Sequence, residues 1–156
     1  MNISYRKAQP ADVRQCIILR GKTRQNAINA AQLAALGVTH ESWTRGIEQD
    51  ELRGYVGLHE GVIVGYCFGE KEVGEIQVLA VLPEYENVGM GKALLNCVVS
   101  DLKGLGHQSL FLGCSSDPES RSYGFYWHLG WRSTGERDSH DDEILELLLV
   151  SGDQLD

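Results

Sequence analysis

The sequence predicts an α/β (α+β) protein, a mixed sheet with helices packed on it, and three observations predict it. The amino-terminal third carries helical periodicity with cap residues at its segment starts. After Asp50 the pattern changes to short runs of alternating and β-branched residues. Two amphipathic helical segments then alternate with strands, so the order reads strand, helices, three strands, helix, strand, helix, two strands.

Each element has a local reason. Ile3–Ala8 alternates as a short strand, and Pro10 opens a helix running to about Arg20, with Val13, Cys16, Ile17 and Leu19 on its apolar side. Gly21 ends it. Asn29 caps a helix from Ala30 to Leu36, Gly37 stops that segment, and Thr39 caps a third helix over HESWTRGIEQ. Tyr55–His59 and Val62–Gly69 are strands joined by Glu60-Gly61, a hairpin turn in which glycine supplies a positive φ. Glu75–Leu82 is a longer strand closed by Pro83, and its alternation places Glu75 on one face with Gln77, Leu79 and Val81. From Gly89 to about Lys103 the apolar residues Met90, Leu94, Leu95, Val98, Val99 and Leu102 recur at helical spacing, until Gly104 and Gly106. Ser109–Gly113 reads as a strand, Ser120–Leu129 as a helix, and Trp131–Glu136 and Glu143–Val150 as closing strands. The 156 residues contain no repeat or linker, so one domain over 1–156 is expected.

Composition narrows the function classes. With 42% hydrophobic and 23% charged residues the balance is that of a globular chain, which argues against disorder. No apolar run reaches the roughly 20 residues that span a bilayer, and the start MNISYRKAQPADV lacks a signal peptide's apolar core, so a cytoplasmic protein is expected. A formal net charge of -8 disfavours partners that need a basic face, nucleic acid and acidic membrane, and suits a cationic small substrate. Cys16, Cys67, Cys97 and Cys114 lie far apart among apolar neighbours, without the spacing of a zinc or redox pair, and no metal site is expected.

The stretch EYENVGMGKALL, from Glu84 to Leu95, has the form of a phosphate loop entering a helix, where open N–H groups and the helix dipole favour an anion. A mononucleotide P-loop requires glycine where Glu86 stands and a hydroxyl residue where Ala93 stands. A dinucleotide fingerprint requires a third glycine where Leu94 stands. Both are therefore disfavoured.

The run Val81–Leu95, in which a strand ending V-L-P leads into E-N-V-G-M-G, resembles the acetyl-CoA segment of the GNAT-type N-acetyltransferase superfamily. A second run, Gly124-Phe125-Tyr126-Trp127-His128-Leu129-Gly130-Trp131-Arg132, is similar to that family's F-Y-x-x-x-G-F/W segment. The resemblance spans nearly the full chain in element order. It implies a mostly antiparallel sheet whose fourth and fifth strands splay, with acetyl-CoA as cosubstrate in the gap. The pantetheine arm then runs along Leu79, Ala80 and Val81, and the pyrophosphate sits on backbone N–H groups of Val88, Gly89, Met90, Gly91, Lys92 and Ala93. The chain departs from the family at Glu86, where Gln or Arg is usual, so the anion grip falls to main chain, and Glu84 and Glu86 are expected to point to solvent.

Acetyl transfer to an amine needs a neutral nucleophile and a proton for the leaving thiolate, but no serine or cysteine nucleophile. The resemblance implies Tyr126 as the general acid that protonates the sulfur, and Glu75 as the base, although a solvated strand start also explains Glu75. Acceptor contacts are implied for Arg24, Asn26 and Trp43, and for the acidic run Asp138–Asp142, which also reads as a solvated turn. The expected partners are acetyl-CoA and an amine of a small molecule or protein, with a homodimer among the assemblies the family implies. The alternative is an acyl-CoA-binding accessory module with little catalysis.

Overall fold

The computed structural model describes residues 2–23, 27–117 and 120–149. Strand β1 (Ile3–Lys7) is followed by a 3-10 turn at Pro10–Asp12 and by helices α1 (Val13–Arg20), α2 (Ala30–Ala35) and α3 (His40–Glu48). Then come β2 (Leu52–His59), β3 (Val62–Glu70), β4 (Glu75–Val81), α4 (Met90–Gly104), β5 (Ser109–Cys114), α5 (Arg121–His128), β6 (Arg132–Arg137) and β7 (Glu143–Leu148). The seven strands form one sheet in the order β1-β2-β3-β4-β5-β7-β6.

The caps act as the sequence predicts. The side chain of Asn29 accepts from the Gln32 N–H at 2.8 Å, and that of Thr39 from the Ser42 N–H at 3.0 Å, each with the reciprocal bond of a capping box. In the β2–β3 hairpin Glu60 (φ 53) and Gly61 (φ 79) both take the left-handed region, so glutamate as well as glycine supplies the turn. Strand β2 starts three residues earlier than the alternation suggests, because Leu52, Arg53 and Gly54 pair with Glu70, Gly69 and Phe68. The end predicted at Val150 for the last strand lies outside the described residues.

Position 54 requires glycine, since a Cβ there would overlap the Phe68 ring, which is fully buried. Overpacking a closed core costs about 1–3 kcal/mol. Gly54→Val is therefore expected to lower unfolding free energy by about that amount in a denaturant titration. An unchanged midpoint would contradict this packing.

Two cores sandwich the sheet. On one face Met90, Leu94, Leu95, Val98 and Leu102 of α4 pack with Cys67, Leu110, Leu112, Leu145, Tyr126 and Trp131. On the other, Val13, Cys16 and Leu19 of α1 and Trp43 of α3 pack with Val56, Tyr66, Phe68 and Ala80. Burial of these faces is the main driving force for the fold.

Two irregularities shape the middle of the sheet. Strands β4 and β5 run parallel but meet at a single pair, Glu75 with Phe111, next to the bond from the Phe111 N–H to the Gly74 carbonyl at 3.1 Å. Beyond it they diverge, which is the predicted splay. The second is a bulge in β4. Phe68 pairs with Val78 and Gly69 with Ile76, which leaves Gln77 as the extra residue. The bulge corrects the simple alternation. Ile76 packs into the same core as Leu79 and Val81, whereas Val78 and Ala80 pack into the other. Glu75, adjacent to Ile76, thus leaves the strand on the face opposite Leu79 and Val81.

Candidate active site

The divergence of β4 from β5 opens a cavity of about 530 Å³. Leu79, Ala80 and Val81 form one wall, and Arg121, Ser122, Phe125, His128 and Leu129 of α5 form the facing one. Glu86 closes it from the loop before α4, Gly91 from the first turn of α4, and Arg20 and Thr23 from the end of α1.

Of the residues expected to hold the cofactor, Leu79, Ala80, Val81 and Gly91 lie on this wall. Val88, Gly89 and Lys92 are exposed on the loop and first turn, Ala93 is half-buried, and the Met90 side chain is buried in the core below. Gly89 is the N-cap of α4 in the left-handed conformation, φ 81, which a non-glycine residue adopts only at a cost. The Ala93 N–H bonds the Gly89 carbonyl at 3.1 Å, so the N–H groups of Met90, Gly91 and Lys92 precede the first bonded turn. Such a terminus attracts anions. Gly91 faces the Phe125 ring across the groove, where a Cβ would stand 3.4 Å from it.

Tyr126 lies immediately behind that wall. It is 8% exposed, edge-on to Phe125 and to Trp131 with centroids 5.2 and 5.9 Å away. Burial, followed by the thiols of Cys67 and Cys114, pushes its phenol above the ordinary value, so it stays protonated at neutral pH. Burial likewise pushes the Cys114 thiol up, which disfavours its thiolate form. Its sulfur is 3.6 Å from the hydroxyl of Ser122, which in turn lies 2.8 Å from that of Ser120.

Glu75 is half-buried at the one point where β4 and β5 still touch. Burial raises its pKa, Gln77 opposes the shift through a hydrogen bond, and the carboxylates of Glu70 and Asp138 add to it. Asp138 itself belongs to the β6–β7 turn, where its Oδ1 accepts from the N–H groups of His140 and Asp142 at 2.9 and 3.0 Å. The acidic run is thus a self-bonded turn that reaches over Gly113 toward Glu75.

Three sequence expectations come out differently or elsewhere. Trp43, expected among the acceptor contacts, does not line the cavity. It is 6% exposed in an aromatic cluster with Tyr66 and Phe68, at centroid distances of 5.9 and 5.0 Å. Glu84 is exposed as expected, but Glu86 is not, with a side chain 15% exposed in the cavity wall and an ion pair to Arg121 at 3.7 Å. Arg24 and Asn26 lie outside the described residues. Just before them, Arg20 and Thr23 line the cavity with a 3.1 Å bond between their side chains, a placement not foreseen from the sequence. Burial lowers the pKa of Arg20, and the phenols of Tyr66 and Tyr126 oppose that shift.

Among the described residues no cluster of three His, Cys, Asp or Glu is placed to hold a metal ion, and no helix is long and apolar enough to cross a membrane.

The sequence profile of the acetyltransferase (GNAT) family matches residues 24–131. The chain belongs to the GNAT family. No curated protein matches it significantly. Solved structures share the GNAT fold over nearly its whole length. PaiA N-acetyltransferase from Thermoplasma acidophilum, in complex with coenzyme A, superposes with a TM-score of 0.72 at 19% identity, covering 96% of this chain and 100% of its own. A GNAT-family protein from Desulfovibrio desulfuricans reaches 0.79 at 18% identity, over 96% and 100%. YncA from Salmonella typhimurium, with its cofactor acetyl-CoA, gives 0.74 at 16%, over 97% and 96%. At such identities the likeness establishes the fold.

Proposed function

We propose that this chain transfers the acetyl group of acetyl-CoA directly to a primary amine of a small molecule or a protein. The observation that carries this reading is the β4–β5 gap, with the backbone of residues 79–81 on one side, Tyr126 behind the other, and the open head of α4 at its mouth. The cofactor's diphosphate would lie on N–H groups of residues 88–92, and its pantetheine arm along the edge of β4 that β5 leaves unpaired. The amine approaches the thioester from the opposite face, where Glu75 sits. Nitrogen bonds to the carbonyl carbon and the carbon–sulfur bond breaks. Glu75 takes one proton from the ammonium, directly or through water, the phenol proton of Tyr126 goes to sulfur, and the second nitrogen proton, released as the amide forms, restores the phenol.

We further assign residues 1–156 to one domain acting in the cytoplasm. A homodimer would not extend the sheet at β6. Its edge strand β6 is exposed along its length and loses register with β7 between Ser133 and Arg137, a device that blocks edge pairing.

Thiol release from acetyl-CoA across a panel of amino acids, polyamines, amino sugars and peptides tests the reading. Saturable, amine-dependent release is expected. If coenzyme A binds but no amine raises the rate above background, the accessory-module alternative holds instead.

Glu75 gives a pH signature. Because its pKa is raised in the folded enzyme, chiefly by burial, the carboxylate that accepts a proton is lost as pH falls through a value above that of an ordinary glutamate. The profile of kcat/KM should therefore show an acidic limb displaced upward. Glu75→Gln should lower the plateau about 10²-fold and remove that limb. A limb that persists in the variant would assign it to another group.

A further inference from the structure

Position 86 carries a carboxylate in a loop whose backbone is arranged to receive an anion, and that carboxylate is not left to solvent. Its side chain is 15% exposed in the cavity wall, and across the groove stands Arg121, the first residue of α5. Arg121 Nε is 3.7 Å from Glu86 Oε2, and the same guanidinium donates to Asn87 Oδ1 at 3.1 Å. One guanidinium thus ties the α5 wall to the α4 loop, beside the N–H groups of residues 88–93.

We propose that the Glu86–Arg121 pair is a latch across the cofactor groove, in which Glu86 serves as a stand-in anion that the cofactor's phosphates displace from Arg121. The inference rests on the acetyl-CoA reading above. Two observations favour exchange over a permanent strut. At 3.7 Å the contact is longer than a good charge-assisted hydrogen bond, so Glu86 holds the guanidinium loosely. The Arg121 side chain is 50% exposed, so it can swing without disturbing the core. A guanidinium fork matches phosphate oxygens in pairs, and the cofactor's phosphate groups carry more charge than one carboxylate. Once displaced, Glu86 faces those phosphates as a like charge. The latch therefore weakens cofactor binding and, by reclaiming Arg121, favours release of coenzyme A after transfer.

Titration calorimetry with coenzyme A and with phosphate-free acetyl-pantetheine, on wild type, Glu86→Gln, Arg121→Gln and Arg121→Lys, tests it. Glu86→Gln should tighten coenzyme A about threefold to tenfold, Arg121→Gln should weaken it about tenfold, and Arg121→Lys should fall between Arg121→Gln and wild type. Acetyl-pantetheine affinity should change by less than about twofold throughout. If Glu86→Gln weakens coenzyme A as Arg121→Gln does, Glu86 is a strut that positions Arg121 and the latch is wrong, although the cofactor site stands. Equal losses for both ligands would mean a distorted groove and would also overturn the latch. If wild type binds neither ligand, the cofactor reading itself fails.

Discussion

Tyr126→Phe is expected to lower kcat by about 10²–10³-fold while leaving KM for acetyl-CoA within about threefold, the signature of a lost general acid. The substitution removes one oxygen and keeps the ring that packs edge-on against Phe125 and Trp131. Stability and groove shape should therefore persist, and the loss belongs to chemistry. Burial holds the phenol protonated above its ordinary range, so the wild-type enzyme should not lose activity through Tyr126 ionisation at mildly alkaline pH. Steady-state kinetics with the best amine of the panel check both statements. A kcat within threefold of wild type would remove Tyr126 from the reaction.

The second large effect is on stability. Trp131 is 1% exposed, at the junction of α5 and β6, and its ring stands against Tyr126 with centroids 5.9 Å apart. Trp131→Ala is expected to cost about 3–5 kcal/mol of unfolding free energy, the range for deleting a large buried aromatic. The cavity it leaves lies beside the phenol, so protein that remains folded should also show a lowered kcat, because Tyr126 loses the ring that fixes it. Trp131→Phe fills most of that space and should recover most of both. Denaturant titration separates this account from a surface role, in which all three proteins would unfold at one midpoint.

Much of this was legible in the sequence because the signals are local. Caps at Asn29 and Thr39, the glycine head of α4 and the change of hydrophobic period after Asp50 depend on residues a few positions apart, and they appear in the structure within a residue or two. What was not legible depends on distant partners. E-I-Q-V-L-A-V reads as unbroken alternation, and only pairing with Phe68 and Gly69 shows that Gln77 is the extra residue. Glu86 reads as a solvated acid until α5 brings Arg121 across the groove. Nothing near Trp43 in the chain shows that Tyr66 and Phe68 of β3 pack against its ring. The start of β2 was hidden because Arg53 and Gly54 break the apolar pattern, and Gly54 is there to make room for a ring on the next strand. For the site, Leu79, Ala80, Val81 and Gly91 of the first motif line the groove, whereas Arg20 and Thr23 reach it only because α1 ends beside the splay.

Amide hydrogen exchange with and without saturating acetyl-CoA tests the account most directly, because it reads the backbone groups assigned to hold the cofactor. Slower exchange is expected at residues 79–81 and 87–93, with α2 unchanged. Binding that protects neither segment, or that protects only residues away from the β4–β5 gap, would contradict it.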